Sequence, residues 1–250
     1  MMRRNTLCLV YMPYVFDLNR LDRIASEDGP RFRAAEPYPH IVIDEFLEPA
    51  AAAALADVFP AAGDDVGWDY YAAAGLEVKM GTSREERFPE PLRRAIHEMN
   101  AGPFVRFVER LSGIDHLLPD PHLAGGGLHL TRAGGLLGVH ADFNWHERLQ
   151  AHRRLNLLIY LGRGWRPGFG GELELWDTAA KGRVRTIEPL FNRAVLFTTR
   201  SDSFHGHPAP WSAPEGIERQ SIALYYYTSA RPEEELRAPH STIYKGYHID

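Results

Sequence analysis

Two histidines and one aspartate in this 250-residue chain are of the residue types that hold a transition metal. His140 and Asp142 are two positions apart, and residues i and i+2 of an extended strand point to the same face of a sheet. Their imidazole and carboxylate can therefore meet at one point, and His205, far downstream, can add a second imidazole. Two histidines and one carboxylate make a facial triad, which is typical of non-haem Fe(II) sites with open coordination positions. A lone His-x-Asp is weak evidence, so the rest of the pattern decides.

Other histidines compete with His205 for the third ligand position. The chain has twelve histidines, and His207 shares a strand face with His205 if that stretch is extended. His146 and His152 fall in a polar segment, where we expect them to be solvated. A structural zinc site is disfavoured, because the only cysteine, Cys8, is remote from these residues.

Short β-strands are predicted to position the candidate ligands. From Leu128 onward, short apolar segments are separated by glycine and proline, which is typical of β-rich domains. A succession of short strands after an α-rich front predicts a mainly β, α+β chain, a jelly roll backed by N-terminal helices. The predicted strands are 127–132, 137–142, 153–161, 171–176, 183–187, 193–199 and 220–228.

The first half of the chain predicts one strand and three helices. Residues 39–47 predict a strand closed by a turn, and Pro49 then begins a helix that runs to about Val58, at a position that tolerates proline. Apolar residues at helical spacing over 90–111 predict two helices, divided at Gly102-Pro103. Residues 60–88 show no clear period, and such long irregular segments are usually functional or disordered.

Several motifs accompany the triad in a definite order along the chain. They are Gly138-Val139-His140-Ala141-Asp142-Phe143-Asn144, then 153–161, Gly170-Gly171-Glu172-Leu173, Glu188-Pro189 ahead of 193–197, His205-Gly206-His207-Pro208, and 219–227. In this order they resemble the Fe(II)- and 2-oxoglutarate-dependent dioxygenases of the prolyl 4-hydroxylase-like superfamily. The resemblance covers residues 125–230, and the segment 39–47 resembles the N-terminal strand of that group.

The resemblance implies a double-stranded β-helix with a metal near one open end. His140, Asp142 and His205 match the Fe(II) ligands of the family. His205 is preferred to His207 because the family motif is His-Gly-x-Pro, with the ligand as its first residue. The implied cofactors are Fe(II), 2-oxoglutarate as co-substrate and O2, with stimulation by ascorbate as a further option.

The resemblance also implies residues that bind 2-oxoglutarate. Arg219 matches the arginine that pairs with the distal carboxylate, and a guanidinium grips a carboxylate through two parallel hydrogen bonds. Ser221 lies two residues on, on the same strand face, and can add a hydroxyl to that carboxylate. Tyr160 matches a tyrosine that donates to the same group, the alternative being a core tyrosine.

Two features depart from the family pattern. Arg219 lies fourteen positions after His205, more than is usual, and we attribute the excess to an extra loop at 211–216. Relatives often carry a tyrosine facing the co-substrate in the segment that is here 129–132. His129 and Thr131 would share a strand face there, and either can replace that tyrosine.

The implied reaction couples oxidative decarboxylation of 2-oxoglutarate, to succinate and CO2, to oxidation of an unreactive C–H bond. The protein supplies ligation, orientation and exclusion of water. Related halogenases leave open for chloride the coordination position that Asp142 fills here, so the resemblance favours hydroxylation over halogenation. Desaturation and ring closure stay open as outcomes.

The composition limits the class of partner and the compartment. A net charge of −5 argues against nucleic acid as a main partner. The single cysteine excludes an internal disulfide and suits a reducing compartment. The apolar run 7–12 is interrupted by Pro13 and lacks a small-residue cleavage site, so we expect a cytoplasmic protein without a membrane anchor, as monomer or homodimer.

We expect the whole chain, 1–250, to form one domain. Its parts are a partly ordered lead-in (1–35), an N-terminal strand with supporting helices (36–125) that includes a variable lid (60–88), the β-helix core (126–230) and a C-terminal tail (231–250). Trp68, Tyr70, Tyr71, Lys79 and Arg84 belong to the lid.

The sequence leaves the substrate open. A compact chain without a recognisable partner-binding extension favours a small molecule, such as an amino acid or a natural-product intermediate. A peptide or protein side chain is the alternative, which a long open groove beside His140 would support. A non-catalytic jelly-roll binding domain is the third hypothesis, and an intact triad with Arg219 counts against it.

Overall fold

A computed structural model describes residues 14–73 and 75–246. Within those residues the helices precede most of the strands along the chain, and none of them is both long and apolar enough to cross a membrane. The helices are α1 (Leu18–Arg33), α2 (Pro49–Asp57), α3 (Glu90–Met99) and α4 (Gly102–Ser112). The strands among them are β1 (His40–Ile43), β2 (Asp69–Ala73) and β3 (Glu77–Thr82).

The remaining strands follow α4. They are β4 (Leu118–Pro119), β5 (Gly127–Thr131), β6 (Leu136–Ala141), β7 (Trp145–His146), β8 (Ala151–Tyr160), β9 (Leu173–Trp176), β10 (Arg183–Ile187), β11 (Ala194–Thr198), β12 (His205–His207), β13 (Arg219–Thr228) and β14 (Ile243–Tyr244). The strands predicted from residue 127 onward are all present, with bounds shifted by at most two residues.

The strands pair in the order β1-β11-β8-β13-β5-β3-β6-β12-β9-β10, and β14 adds to β6. The pairs are antiparallel, and the sheet bends into a nearly closed barrel. This is the jelly roll, or double-stranded β-helix, that the sequence predicts. A barrel of this kind presents one face of each strand to its interior, so residues from separate strands can share one cavity.

Local sequence explains where the helices begin and end. The side chain of Asp17 accepts hydrogen bonds from the backbone N–H groups of Asn19 and Arg20 and so caps α1. Pro49 occupies the first turn of α2, where its missing N–H costs nothing. Gly113 ends α4 in the left-handed conformation (φ 74°), which glycine adopts without a steric penalty.

The helices pack on the outer face of the barrel and share one hydrophobic core with it. Phe104 of α4 is fully buried and lies at the centre of this layer. The same core contains Phe32 of α1, Leu157 of β8 and Leu224 of β13. Helices therefore cover one side of the long strands and leave the opposite side free to line a site.

Two segments of the N-terminal half contain more regular structure than the sequence predicts. Residues 18–33, expected in a partly ordered lead-in, form α1, and its Leu21 and Phe32 are buried. Gly29 and Pro30 inside this helix disfavour it on propensity, and packing against α4 overrides them. Residues 1–13 of the lead-in lie outside the described part of the chain.

The expected lid, 60–88, also differs from its prediction. It contains the hairpin β2–β3, and β3 enters the sheet between β5 and β6. A strand is recognised in a sequence by alternating apolar and polar residues. That signal is weak in this segment, because β2 is exposed along its length and shows no apolar face. The segment is therefore in part a wall of the barrel, and its cavity-facing residues had to be found in the structure.

Candidate metal and co-substrate site

Strand register brings the two histidines together. In the antiparallel pair of β6 and β12, His205 lies directly opposite His140, and their ring centroids are 4.5 Å apart. Gly206 permits this close approach, because a Cβ at that position would lie 2.7 Å from the carbonyl oxygen of Gly138. Asp142 follows the last residue of β6 and turns its carboxylate toward both rings.

The three side chains converge through specific atoms. The Nε2 atom of His140 lies 3.5 Å from Oδ1 of Asp142, and the Nε2 atom of His205 lies 3.4 Å from Oδ2. One ligand atom from each residue falls within 4.8 Å of the others, a spacing suited to a metal ion between them. The structure thus brings the predicted triad together.

Backbone carbonyls fix the orientation of both imidazoles. The Nδ1 atom of His140 is 2.8 Å from the carbonyl oxygen of Gly138, and that of His205 is 3.0 Å from the carbonyl of Ser203. A carbonyl only accepts, so each Nδ1 carries the proton and each Nε2 presents a lone pair. Holding the second nitrogen in this way is how proteins orient metal-binding histidines.

The charge states of the triad suit a divalent cation. Burial, assisted by His140 and opposed by Asp142, lowers the pKa of His205 to about 4, so this imidazole is neutral at pH 7. Burial works against ionisation of Asp142, yet Arg153 and the two histidines hold the pKa of its carboxyl well below the usual range. Two imidazoles and one carboxylate are the donor set of non-haem Fe(II) sites, so these residues fit that metal.

Arg153 and Asn156, both on β8, support the carboxylate ligand. The guanidinium of Arg153 lies 3.1 Å from Oδ2 of Asp142, and the amide of Asn156 donates to the same oxygen at 2.7 Å. Arg153 is itself held against the ring of Tyr225, 3.5 Å from its centroid. The sequence motif contained both β8 residues but gave them no role, because nothing local shows that they reach Asp142.

Arg219 is buried at the start of β13 and faces the same cavity as the triad. Its Nε donates to the carbonyl of Gly171 at 2.9 Å, and one terminal nitrogen donates to the hydroxyl of Tyr160 at 3.2 Å. Gly171 is needed there, because a Cβ would lie 2.5 Å from the ring of Trp211. Trp211, in the loop that lengthens the gap after His205, is buried and so packs the extra residues against Gly171.

Tyr160 and Ser221 flank this arginine. Tyr160 is fully buried on β8 opposite Ser221, and since its oxygen accepts from Arg219, its proton is free to be donated elsewhere. Tyr160 contacts the guanidinium and does not line the cavity, whereas Ser221 lines it. Their roles toward a carboxylate stay predictions.

His129 and Thr131 on β5 both line the cavity. In the pairing of β5 with β13, Thr131 lies opposite Arg219 and His129 opposite Ser221. Burial, together with the nearby Lys79 and Arg219, lowers the pKa of His129 well below its usual range, so this imidazole is neutral. The structure places both residues where the sequence predicted and leaves the choice between them open.

The competing histidines take other places. His207 is buried in the cavity wall opposite Leu137, two residues after His205 on β12. Its Nδ1 has no hydrogen-bond partner among the residues that the structure describes. The expectation that His146 is solvated was wrong, since it is buried with its Nε2 3.3 Å from a carboxylate oxygen of Asp120. His152 is partly exposed and packs edge-on against Trp145.

The cavity has a volume of about 230 Å³ and contains residues that the sequence did not single out as site residues. Glu77 and Lys79 of β3 face it from one side, and Thr242 and Tyr244 of the tail close it from another. Their contribution depends on strand pairings between distant segments, which single-sequence patterns do not reveal. All the residues with predicted roles line it except Tyr160.

The C-terminal tail crosses the metal ligands. Strand β14 pairs with β6, so that Tyr244 lies opposite His140 with ring centroids 5.6 Å apart. The side chain of Asn144 holds the preceding segment by donating to the carbonyl of Ala238 and accepting from the N–H of His240, each at 2.9 Å. The edge of β6 beside the metal site is therefore occupied by the chain itself.

Known proteins share both the core sequence pattern and the fold. Residues 126–227 match the family model of the 2OG-Fe(II) oxygenase superfamily. Prolyl 3-hydroxylase OGFOD1 of Mus musculus is 29% identical over 156 residues, a match that covers 60% of this chain and 26% of that protein. The chain thus matches about a quarter of the length of this curated relative.

Two solved structures show the same fold at low identity. A prolyl hydroxylase from Trichoplax adhaerens, in complex with a peptide fragment of the hypoxia inducible factor oxygen degradation domain, superposes with a TM-score of 0.60 at 17% identity, covering 84% of this chain and 91% of that one. The non-haem α-ketoglutarate-dependent epimerase SnoN from nogalamycin biosynthesis superposes with a TM-score of 0.53 at 15% identity, covering 85% and 82%.

The family match, the barrel and the triad agree residue by residue. His140, Asp142, His205 and Arg219 all lie inside the matched segment, on or directly after strands of the barrel. Fe(II), 2-oxoglutarate and O2 are the cofactors of this family, and the donor set described above fits the metal. Residues 126–227 therefore match the 2OG-Fe(II) oxygenase superfamily, and the chain shares its fold with the two solved structures named above.

Proposed function

We propose that this protein is an Fe(II)- and 2-oxoglutarate-dependent dioxygenase that hydroxylates an unactivated C–H bond of a small molecule and releases succinate and CO2. The observation that carries the proposal is the shared cavity, which is lined by the triad and by Arg219 and crossed by the C-terminal tail. When bound, the metal and co-substrate supply the oxidising chemistry, and the chain supplies ligands, orientation and a dry enclosure.

The triad, Arg153 and Arg219 have separate tasks in this proposal. His140, Asp142 and His205 hold the metal on one face, and Arg153 keeps Asp142 ionised and in place. Arg219 fixes the distal carboxylate of 2-oxoglutarate, because its guanidinium is buried and oriented by Gly171 and Tyr160 before any ligand arrives. Preorganised contacts of this kind lower the cost of ordering the co-substrate.

The dimensions of the site support a small substrate. Pockets that enclose drug-sized ligands usually have volumes of about 300–1,000 Å³. The cavity here is about 230 Å³ and must also hold the co-substrate. Tyr244 packs beside His140 on the strand edge where an extended peptide would otherwise lie. A compact ligand fits this enclosure better than a polypeptide.

A coupled assay tests the proposal. The protein with Fe(II) and 2-oxoglutarate is offered a panel of amino acids and natural-product intermediates, and succinate and oxidised product are measured by mass spectrometry. We expect stoichiometric succinate and hydroxylated product for the true substrate, and neither in the His140→Ala protein. Failure to bind 2-oxoglutarate, measured by calorimetry with Mn(II) in place of Fe(II), would contradict the proposal.

A peptide or protein side chain is the second candidate substrate. The relatives named above include prolyl hydroxylases, one of them solved with a peptide. A second cavity of about 750 Å³ shares Tyr71 and Lys79 with the first and gives this candidate a structural basis. Peptides containing proline belong in the same assay, and succinate release with those alone would favour this reading.

A further inference from the structure

One ion pair in the cavity has no task in the proposed function. Glu77 and Lys79 are two positions apart on β3 and both face the cavity, and Lys79 Nζ lies 3.0 Å from Oε1 of Glu77. Their side chains are only 17% and 13% exposed. The other cationic groups of the cavity are accounted for, since Arg153 serves Asp142 and Arg219 is placed for the co-substrate.

The surroundings of this pair leave part of each group free. The hydroxyl of Tyr244 donates to Oε2 of Glu77 at 3.1 Å, and Lys79 Nζ lies 5.5 Å from the centroid of the Tyr71 ring. An ammonium has three donors, and a carboxylate accepts about four hydrogen bonds. Contacts with the described residues use one donor of Lys79 and two acceptor positions of Glu77, so both groups can bind further partners inside the cavity.

Because the two charged groups are largely buried, leaving some of their hydrogen-bonding positions unoccupied costs free energy. Taking two charges out of water costs more than their mutual attraction returns unless further hydrogen bonds complete their shells. A ligand that carries one positive and one negative group can place each of them beside the oppositely charged side chain. It then completes the hydrogen bonds of both Glu77 and Lys79. A purely anionic ligand would face Glu77, and a purely cationic ligand would face Lys79, so each would meet repulsion.

We propose that Glu77 and Lys79, with Tyr244, form a subsite for the α-ammonium and α-carboxylate groups of a free amino acid. This inference rests on the proposed function and names its substrate class. Glu77 receives the ammonium, Lys79 receives the carboxylate, and the side chain of the amino acid points toward the triad. The tail takes part directly, because Tyr244 orients Glu77.

A binding experiment tests the subsite without oxidation. The protein is loaded with Mn(II) and 2-oxoglutarate, and calorimetry measures the standard free L-amino acids and, for each binder, its N-acetyl and carboxamide forms. Losing one charge-assisted contact should weaken binding about 10- to 100-fold, so both modified forms should bind more weakly than the free amino acid by that factor.

Variants assign each charge to one residue. In Glu77→Gln the penalty for N-acetylation should shrink toward onefold while the penalty for the carboxamide remains, and Lys79→Gln should show the reverse. Glu86→Gln and Lys181→Gln, at exposed positions, are matched controls and should keep both penalties. A merely structural role for the pair would instead weaken all three forms equally.

The outcomes separate this inference from the proposed function. A protein that binds 2-oxoglutarate but no free amino acid, or binds the three forms equally well, overturns the amino-acid subsite and leaves the dioxygenase proposal standing. A protein that binds no 2-oxoglutarate overturns both. The subsite would be established if Glu77→Gln no longer distinguished the free amino acid from its N-acetyl form and Lys79→Gln no longer distinguished it from its carboxamide.

Discussion

Two short contacts at the residue scale decide which histidine nitrogen faces the metal position. The carbonyls of Gly138 and Ser203 each lie two positions before a histidine and accept its Nδ1 proton. The side chains of Arg153 and Asn156 perform the corresponding task for Asp142. Each ligand of the triad is thereby held by a second group of the protein. That contact raises the affinity of the site for the metal and fixes the orientation of the ligand side chain.

The choice of His205 over His207 can be tested directly. His205→Ala removes a ligand atom of the triad and should abolish detectable Mn(II) binding. His207→Ala removes no ligand and should lower Mn(II) affinity by less than about tenfold, which is the smallest loss expected when a group that supports a metal ligand is removed. Calorimetric titration of both variants gives the answer, with circular dichroism as the check on folding. Binding lost in His207→Ala and retained in His205→Ala would transfer the ligand role to His207.

The anchor for the co-substrate gives a second prediction at this scale. Arg219→Ala should lower 2-oxoglutarate affinity by about 30- to 1,000-fold, because a charge-assisted, bidentate contact contributes about 2–4 kcal/mol. Arg219→Lys should restore only part of this loss, since lysine keeps the charge and loses the planar fork. The measurement is 2-oxoglutarate binding to the Mn(II)-loaded variants, and unchanged affinity in Arg219→Ala would place the anchor elsewhere.

Sequence reasoning could relate the residues whose spacing is local. His140 and Asp142 share a motif, and Arg219 with Ser221 shares a strand face, so their relation is visible along the chain. Arg153 and Glu77 were missed as site residues, and Lys79 was named only as part of the lid, because their positions depend on which distant strands pair. Tyr160 was assigned either to the carboxylate or to the core, and it is both buried and bonded to Arg219.

At the scale of elements, β3 and β14 alter what the barrel offers to a ligand. Strand β3 brings an ion pair into the wall between β5 and β6, and β14 covers the edge of β6. Neither was predicted, since β14 has only two residues and β3 follows an exposed strand without an apolar face. Their effect is to narrow the cavity beside the metal ligands.

Removing the tail tests this element. A chain that ends at residue 236 loses β14 and the contacts of Asn144 with Ala238 and His240. We expect metal and 2-oxoglutarate binding to remain, because their residues lie outside the tail, while succinate formation becomes uncoupled from product as water enters the site. The ratio of succinate to product, measured by mass spectrometry, should rise above one.

A milder variant guards against general damage from the truncation. Asn144→Ala removes the side chain that holds the tail and should raise hydrogen exchange at the amide of Lys245, which donates to the carbonyl of Val139. Coupling should weaken in the same direction as in the truncated chain. Full coupling in both proteins would show that the tail is not a wall of the substrate site.

In the whole molecule, the residues that stabilise the fold and the residues that form the site lie on opposite faces of the long strands. The hydrophobic core on the outer face joins the helices to the sheet, and the cavity on the inner face is polar and carries the ligands. The strand and helix patterns of the sequence predicted a jelly roll backed by helices, which agrees with this division. They did not predict that α1 belongs to the core, since its Gly29-Pro30 pair disfavours a helix.

A pair of variants separates the two faces. Phe104 is fully buried among the rings of Phe16, Phe46, Phe107 and Tyr226, so Phe104→Ala should cost about 3–5 kcal/mol of unfolding free energy, or about 6–20 °C in melting temperature. Mn(II) at a hundredfold excess over its dissociation constant should stabilise this variant and the unmodified protein alike, by about 2.7 kcal/mol. His140→Ala should melt near the unmodified apo-protein and gain nothing from Mn(II). Thermal unfolding with and without the metal measures both effects.

If Phe104→Ala remained folded and lost its response to Mn(II), the helical layer would be shaping the metal site itself, and the division between the faces would be wrong.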